Sequence, residues 1–243
     1  MTQPPLTLNA WLRYDVIRGI LRGLDHVESV LEIGCGQGAL GARLAGRYRY
    51  VGIEIDEASH ALAAARVEPT GGLVLQGDIS TLPLGMIFDL VCAFEVLEHI
   101  ADDLEALRTW REFLRPGGWL LISVPAYQQR FGAADVRVGH HRRYDPEATQ
   151  SLLEASGFVL RAALLYGFPL GYALEAARNR LSGTWRRAAS QTERTRASGR
   201  LLQPPSFLGW LTATASLPFR ILQRPFLGTR LGTGLVILAR RAD

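Results

Sequence analysis

Lysine is absent from this 243-residue chain, and all 27 of its Lys-plus-Arg positions are arginine. That is a bias of composition before it is a signal of function. Cysteine is scarce, with only Cys35 and Cys92. One falls in a glycine-rich turn and the other in an apolar strand-like run, which excludes a disulfide framework and argues against a thiolate metal site. No uninterrupted apolar run reaches the ~18 residues of a membrane-spanning helix. The start, Met1-Thr2-Gln3-Pro4-Pro5, lacks a basic stretch followed by a long apolar core, so no cleaved leader is expected. Together these absences point to the cytoplasm. Acids are sparse in one region: Arg178, Arg180, Arg186, Arg187, Arg194, Arg196, Arg200, Arg220, Arg224 and Arg230 are accompanied only by Glu193. The net charge of +4 is therefore unevenly spread, and this region needs its own explanation.

A chain of this length suits one domain with an elaboration and can bury a large core unaided. Its centre is Ser29-Val30-Leu31-Glu32-Ile33-Gly34-Cys35-Gly36-Gln37-Gly38. A short apolar run of buried-strand length leads into a glycine turn, and a helical pattern follows from Gly38 to Arg47. Strand, glycine turn and helix open a nucleotide-binding α/β fold. The glycines let a ligand lie against bare backbone. They alternate at 34, 36 and 38, which disfavours the G-x-G-x-x-G fingerprint of NAD binding. Further strands are expected over Tyr50–Ile55, Leu73–Gln76, Asp89–Phe94, Trp119–Val124 and Phe158–Leu165. Helices are expected over Leu8–Leu24 (capped by Thr7 or Asn9), Glu57–Arg66, Ala101–Leu114 and Pro146–Ser156, the last with Asp145 as cap and Gly157 as stop. This alternation demands a mostly parallel sheet covered on both faces, with its ligand at the carboxyl ends of the strands. Glu54 stands about 20 residues past the first glycine, where such folds place the acid that accepts from ribose hydroxyls.

Five stretches in order resemble the class I S-adenosylmethionine (SAM) methyltransferases, in their ubiquinone/menaquinone-type branch. They are Glu32-x-Gly34-x-Gly36-x-Gly38, Ile53-Glu54-Ile55-Asp56, Gly77-Asp78-Ile79, Phe94-Glu95-Val96-Leu97-Glu98-His99 and Leu114-Arg115-Pro116-Gly117-Gly118. The resemblance covers Val27 to Phe168 and a short C-terminal piece. It implies a Rossmann-like, seven-stranded, mostly parallel sheet whose last strand, Gly232–Arg241, runs antiparallel between strands five and six. It implies SAM as cofactor and S-adenosylhomocysteine as product. Glu32 is then expected at the methionine end, with Gly34, Cys35 and Gly36 lining the approach. Glu54 is expected on the ribose, Ile55 and Ile79 against the adenine, and Asp78 on the adenine amino group. Phe94 and Glu95 should line the end of strand four. The catalytic domain is 1–166 plus 231–243, and 167–230 is a helical insertion with helix over Gly171–Leu181. The insertion reads as a substrate cap, or alternatively as a lid resting on the inner membrane face.

Two constellations bear on the acceptor. Glu95, Glu98 and His99 have the donors of a divalent-ion site, against a plain structural or substrate-side role for His99; no metal is expected. Gly139-His140-His141-Arg142-Arg143-Tyr144 follows strand five, with Asp135 just before it, and resembles a loop of relatives encoded with glycan and lipid tailoring genes. It offers His140 as a general base and His141, Arg142, Arg143 and Tyr144 as substrate contacts; alternatively these residues fasten the loop, through Asp135 or helix ends. The expected reaction is methyl transfer to an oxygen or carbon of a small-molecule or lipid- or glycan-linked acceptor. A nucleic-acid methyltransferase using the arginine-rich segment is the alternative, disfavoured because strand four does not end in the D/N-P-P-Y/F motif. A non-catalytic SAM-binding or membrane-associated protein is the third reading.

Overall fold

A computed structural model describes residues 4–83, 85–182 and 209–242. Of the arginine-rich region, Arg186, Arg187, Glu193, Arg194, Arg196 and Arg200 lie outside the described residues. In chain order the strands are β1 (Ser29–Ile33), β2 (Arg49–Glu54), β3 (Leu73–Gln76), β4 (Phe88–Phe94), β5 (Leu114–Pro125), β6 (Phe158–Tyr166) and β7 (Gly234–Arg241). They form one sheet of order β3-β2-β1-β4-β5-β7-β6. Strands β1 to β5 pair in parallel, and β7 runs antiparallel to both β5 and β6. The chain leaves β1 toward β2 and β3, then returns to lay β4 on the other side of β1. The crevice at a ligand-binding switch point therefore opens beyond Ile33 and Phe94.

Side chains alternate across this sheet. Leu31, Ile33, Val91, Ala93 and Ile122 face a core closed by Leu107 and Trp110 of α4 (Asp103–Glu112) and Leu153 of α6 (Pro146–Ala155). Val30, Leu90, Cys92 and Leu121 face the other core, closed by Leu12, Val16 and Ile17 of α1 (Leu8–Arg22) and Ala63 and Val67 of α3 (Glu57–Val67). Strands buried on both faces read as continuous apolar runs, which is how they stand in the sequence.

Thr7 caps α1, its Oγ1 accepting from the Ala10 N–H at 3.1 Å. Between β6 and β7 the described residues form α7 (Leu170–Ser182) and α8 (Gly209–Leu222), and α8 packs along α1. Asp15, buried on α1, accepts from Arg220 at 3.3 Å and Arg224 at 3.2 Å. Buried Gln223 donates to the Leu12 carbonyl at 3.0 Å and accepts from the Gly167 N–H at 3.1 Å.

Several boundaries differ from the sequence expectation. The helix expected from Gly38 to Arg47 is only α2 (Gly41–Leu44); Gly38 keeps a left-handed φ of +71°, so the helix does not start there. Strand β5 begins at Leu114, which pairs with Phe88 before a bulge absorbs the Pro116-Gly117-Gly118 turn. Asp145 stands at the N-cap of α6 but makes no cap bond; its Oδ1 accepts from the Gln128 N–H at 3.3 Å. A helix not expected from sequence, α5 (Ala133–Val138), precedes the His140 loop.

Substituting Asp15→Ala strands Arg220 in a buried position, and removing one partner of a buried ion pair costs about 3 kcal/mol. Urea unfolding of the variant should show that loss, and wild-type stability in Asp15→Ala would mean that α8 is not held through this pair.

Candidate active site

The glycine turn after β1 is laced to the end of β2. The Cys35 N–H donates to the Ile53 carbonyl at 3.0 Å. The Gly36 N–H donates to Glu54 Oε2 at 2.8 Å, and Glu54 Oε1 accepts from the Asp56 N–H at 2.9 Å. Two glycines there serve different ends. A Cβ at Gly38 would stand 2.8 Å from the Ala63 Cα, so this position lets α3 approach. A Cβ at Gly36 would meet no atom within 4 Å; it would point into open space, with φ at +56°. Cys35 is buried, and burial pushes its thiol well above the ordinary range. Ile55, just past β2, is 52% exposed, an apolar side chain left uncovered beside the turn. Past β3, Asp78 is exposed and accepts from the Ser80 hydroxyl (2.6 Å) and N–H (2.9 Å), which lowers its pKa. Ile79 beside it is half-buried.

At the ends of β1 and β4 the chemistry is acidic, with Glu32 buried and Glu95 partly so. Glu32 accepts from the Tyr50 hydroxyl at 2.6 Å. Burial pushes its pKa up to about 7, against the opposing pull of Tyr50 and of Arg13. Phe94 is buried, and Glu95 follows it with φ at +59°. Glu95 pairs with Arg13 of α1 at 3.2 Å and accepts from the Ser123 hydroxyl at 3.1 Å and the Tyr166 hydroxyl at 3.4 Å. Arg13 was not foreseen as a site residue. It borders the buried stripe Leu12, Asp15, Val16, Ile17 and Leu21 of α1, and nothing local marks it apart from the other arginines of that helix; its partner Glu95 is distant in sequence.

The second cluster joins the turn after β4 to the loop after α5. The His141 N–H donates to the Glu98 carbonyl at 2.8 Å, and the Tyr144 hydroxyl donates to the Leu97 carbonyl at 3.3 Å and to Asp103 at 3.0 Å. Glu98 is 0% exposed, and neither carboxylate oxygen accepts a hydrogen bond from another residue. His140 Nε2 stands 3.8 Å from Glu98 Oε1, and its Nδ1 bonds Asp135 at 2.8 Å. The His99 and His140 rings meet edge to face at 4.7 Å. Burial, then the nearby His140, lowers the His99 pKa to about 4. Burial works to raise the Asp135 pKa, but hydrogen bonds from His140, Arg143 and Gly132 outweigh it and hold the carboxyl well below its usual range.

The structure divides the loop residues. His140 points at Glu98. His141 is exposed. Arg142 holds Asp103 at 2.6 Å and the Ala101 carbonyl at 2.5 Å. Arg143 is buried between Asp135 (2.7 Å) and Glu175 (3.1 Å), and Tyr144 is buried. The bonds of Arg142, Arg143 and Tyr144 are those of the fastening alternative. The ion-site alternative also changes membership: Glu95 turns to Arg13, and the grouped donors are Glu98, His99 and His140.

A methyltransferase-domain family model matches residues 8–163. The chain belongs to the class I SAM-dependent methyltransferases. It is 32% identical over 162 residues to a Mycolicibacterium smegmatis protein named "Probable S-adenosylmethionine-dependent methyltransferase", covering 64% of this chain and 62% of that one. The match thus spans less than two thirds of that relative. The likeness to the ubiquinone-type branch is shorter: 28% identity over 117 residues to the ubiquinone biosynthesis O-methyltransferase of Nitrosomonas europaea, covering 46% of this chain and 49% of that one. Among solved structures it resembles the N-methyltransferase NodS of Bradyrhizobium japonicum in complex with S-adenosylhomocysteine, with TM-score 0.57 at 16% identity over 95% of this chain and 86% of that one. At that identity the likeness shows the fold.

SAM, the family's cofactor, fits the geometry on two counts. Gly36 borders open space against bare backbone, and Ile55 offers an uncovered apolar face beside it.

The Glu32 carboxyl yields a pH prediction. Its folded pKa is raised above the ordinary 4.5 to about 7. Between those values the folded protein binds more protons than the unfolded chain, so this group's contribution to stability falls as pH rises from about 4.5 through about 7. Unfolding free energies across that window should fall more steeply in the wild type than in Glu32→Gln. Equal slopes would remove the buried, proton-holding Glu32.

Proposed function

We propose that this chain transfers a methyl group from SAM to a hydroxyl oxygen or an acidic carbon of a small-molecule or lipid- or glycan-linked acceptor. SAM supplies, when bound, a methyl group on a sulfonium that needs no further activation, so the protein's task is alignment and proton removal. Glu54 and Asp78 would hold the ribose and adenine amino group, with Ile55 and Ile79 on the adenine faces. Glu32 and Glu95 would serve the methionine end.

The observation that carries the acceptor reading is the Asp135–His140 pair. Asp135 engages Nδ1 and fixes the ring, leaving Nε2 as the proton-accepting atom. Such a base is needed for a hydroxyl or a carbon acid. His141, exposed on the same loop, is the proposed acceptor contact at the rim, with His99 beneath it.

A second reading adds a membrane surface. Trp210 is 70% exposed, and Leu217 and Ile221 follow it on one face of α8, also exposed. No helix among the described residues is long and apolar enough to cross a membrane, so contact through α8 would be peripheral.

The test uses methyl-labelled SAM with an extract of the source cell split into lipid and water-soluble fractions. Label should enter one fraction, and His140→Asn should cut the rate by about 10²–10⁴ while SAM affinity holds. Undiminished transfer by His140→Asn would remove its base role, and no label in either fraction would count against the acceptor classes named. Pelleting with anionic vesicles at low salt, lost in Trp210→Ser with Ile221→Ser, is expected if α8 meets lipid; failure to pellet rejects that contact.

A further inference from the structure

We propose that Trp11, Arg43 and Arg220 bind a phosphate-type oxyanion where α1, α2 and α8 meet. Both guanidinium carbons lie against the Trp11 ring, 5.3 Å from its centroid for Arg43 and 5.0 Å for Arg220. Arg43 also lies over the Tyr14 ring, at 5.6 Å. Three helices distant in sequence thus bring two cations to one indole.

The first observation that points to an anion is a set of unmet donors. Trp11 Nε1, Arg43 Nε and Arg220 Nε are buried, and none has a hydrogen-bond partner among the described residues. No other buried side-chain N–H of the described residues is left in that state. Indole and guanidinium N–H groups only donate, so the three cannot serve one another. An acceptor from outside must meet them, and each one left unmet is costly.

The second observation is charge, which separates an anion from water. Arg43 pairs with no carboxylate among the described residues. Its terminal nitrogens donate to the Ala39 carbonyl at 2.5 Å and the Pro4 carbonyl at 2.7 Å. Burial lowers its pKa, and no acid opposes that effect. Arg220 has Asp15, which it shares with Arg224. This corner therefore holds three guanidinium groups against one carboxylate. Water would satisfy the donors and leave the charge. An oxyanion satisfies both, through charge-assisted hydrogen bonds of the kind arginine makes with phosphate. Trp11 and Arg43 are partly exposed, and the Arg220 side chain keeps 11% of its surface in solvent. A swing of either guanidinium group opens the donors to an incoming ion. Binding here does not depend on the methyl-transfer reading.

The test is calorimetric titration of the full-length chain with inorganic phosphate at fixed ionic strength, with sodium chloride as the control. One equivalent of phosphate should bind. Arg43→Gln should weaken binding at least tenfold. Trp11→Phe keeps an aromatic ring and removes the N–H, and it should do the same. Circular dichroism establishes that each variant is folded. A second arm uses dihexanoyl phosphatidic acid below its micelle concentration. Binding tighter than that of phosphate, and weakened by the same substitutions, assigns the site to a lipid headgroup. Binding of inorganic phosphate alone assigns it to a soluble phosphate ligand. A folded wild type that binds neither compound overturns the proposal. So does phosphate binding unchanged in both Arg43→Gln and Trp11→Phe, or an equal response to chloride.

Discussion

Three carboxylates, Glu32, Glu95 and Glu98, crowd the carboxyl ends of β1 and β4; Glu32 and Glu98 are buried, where a charge is expensive, and Glu95 is partly covered. Much of the surrounding structure answers that cost. Glu32 meets it by holding its proton to higher pH and by accepting from Tyr50. Glu95 meets it with Arg13, Ser123 and Tyr166, drawn from α1, β5 and β6. Helix α1 is therefore more than sheet packing: it carries the guanidinium that compensates a strand-end acid. Its own position depends on Asp15, which ties it to Arg220 of α8 and to Arg224 just beyond that helix. Helix α8 and the cofactor crevice are thus joined through α1.

The other side of the crevice follows the same logic with different means. The loop after α5 is fastened by Arg142, Arg143 and Tyr144, whose bonds go to Asp103, Asp135, Glu175 and the Leu97 carbonyl. That fastening holds His140 against Glu98 and His99. The Glu98 carboxyl accepts no hydrogen bond from another residue, burial and then nearby Glu95 raise its pKa well above the ordinary range, and it sits where two imidazoles converge.

The sheet and the glycine turn were legible in the sequence because their signals are local. Apolar runs, alternating glycines and strand-end acids each stand within a few residues, and the seven strands came out in place with β7 antiparallel. The unforeseen parts depend on distant partners. Arg13 is defined by Glu95, far along the chain. Helix α5 has only six residues and is held by Asp135, which caps it while binding His140 and Arg143. Periodicity cannot reveal so short a helix. Arg143 offered the same residue type for a substrate phosphate as for a buried pair with Glu175, and only the fold separates the two.

The central claim is that bare backbone at Gly36, tied to the end of β2 through Glu54, receives SAM. Calorimetric titration of the full chain with SAM and S-adenosylhomocysteine, beside Gly36→Val, tests it most directly. A side chain there would fill the space beside the turn, so the wild type should bind and the folded variant should bind at least tenfold more weakly. A folded wild type that binds neither compound, or a Gly36→Val variant that binds both equally well, would contradict the account.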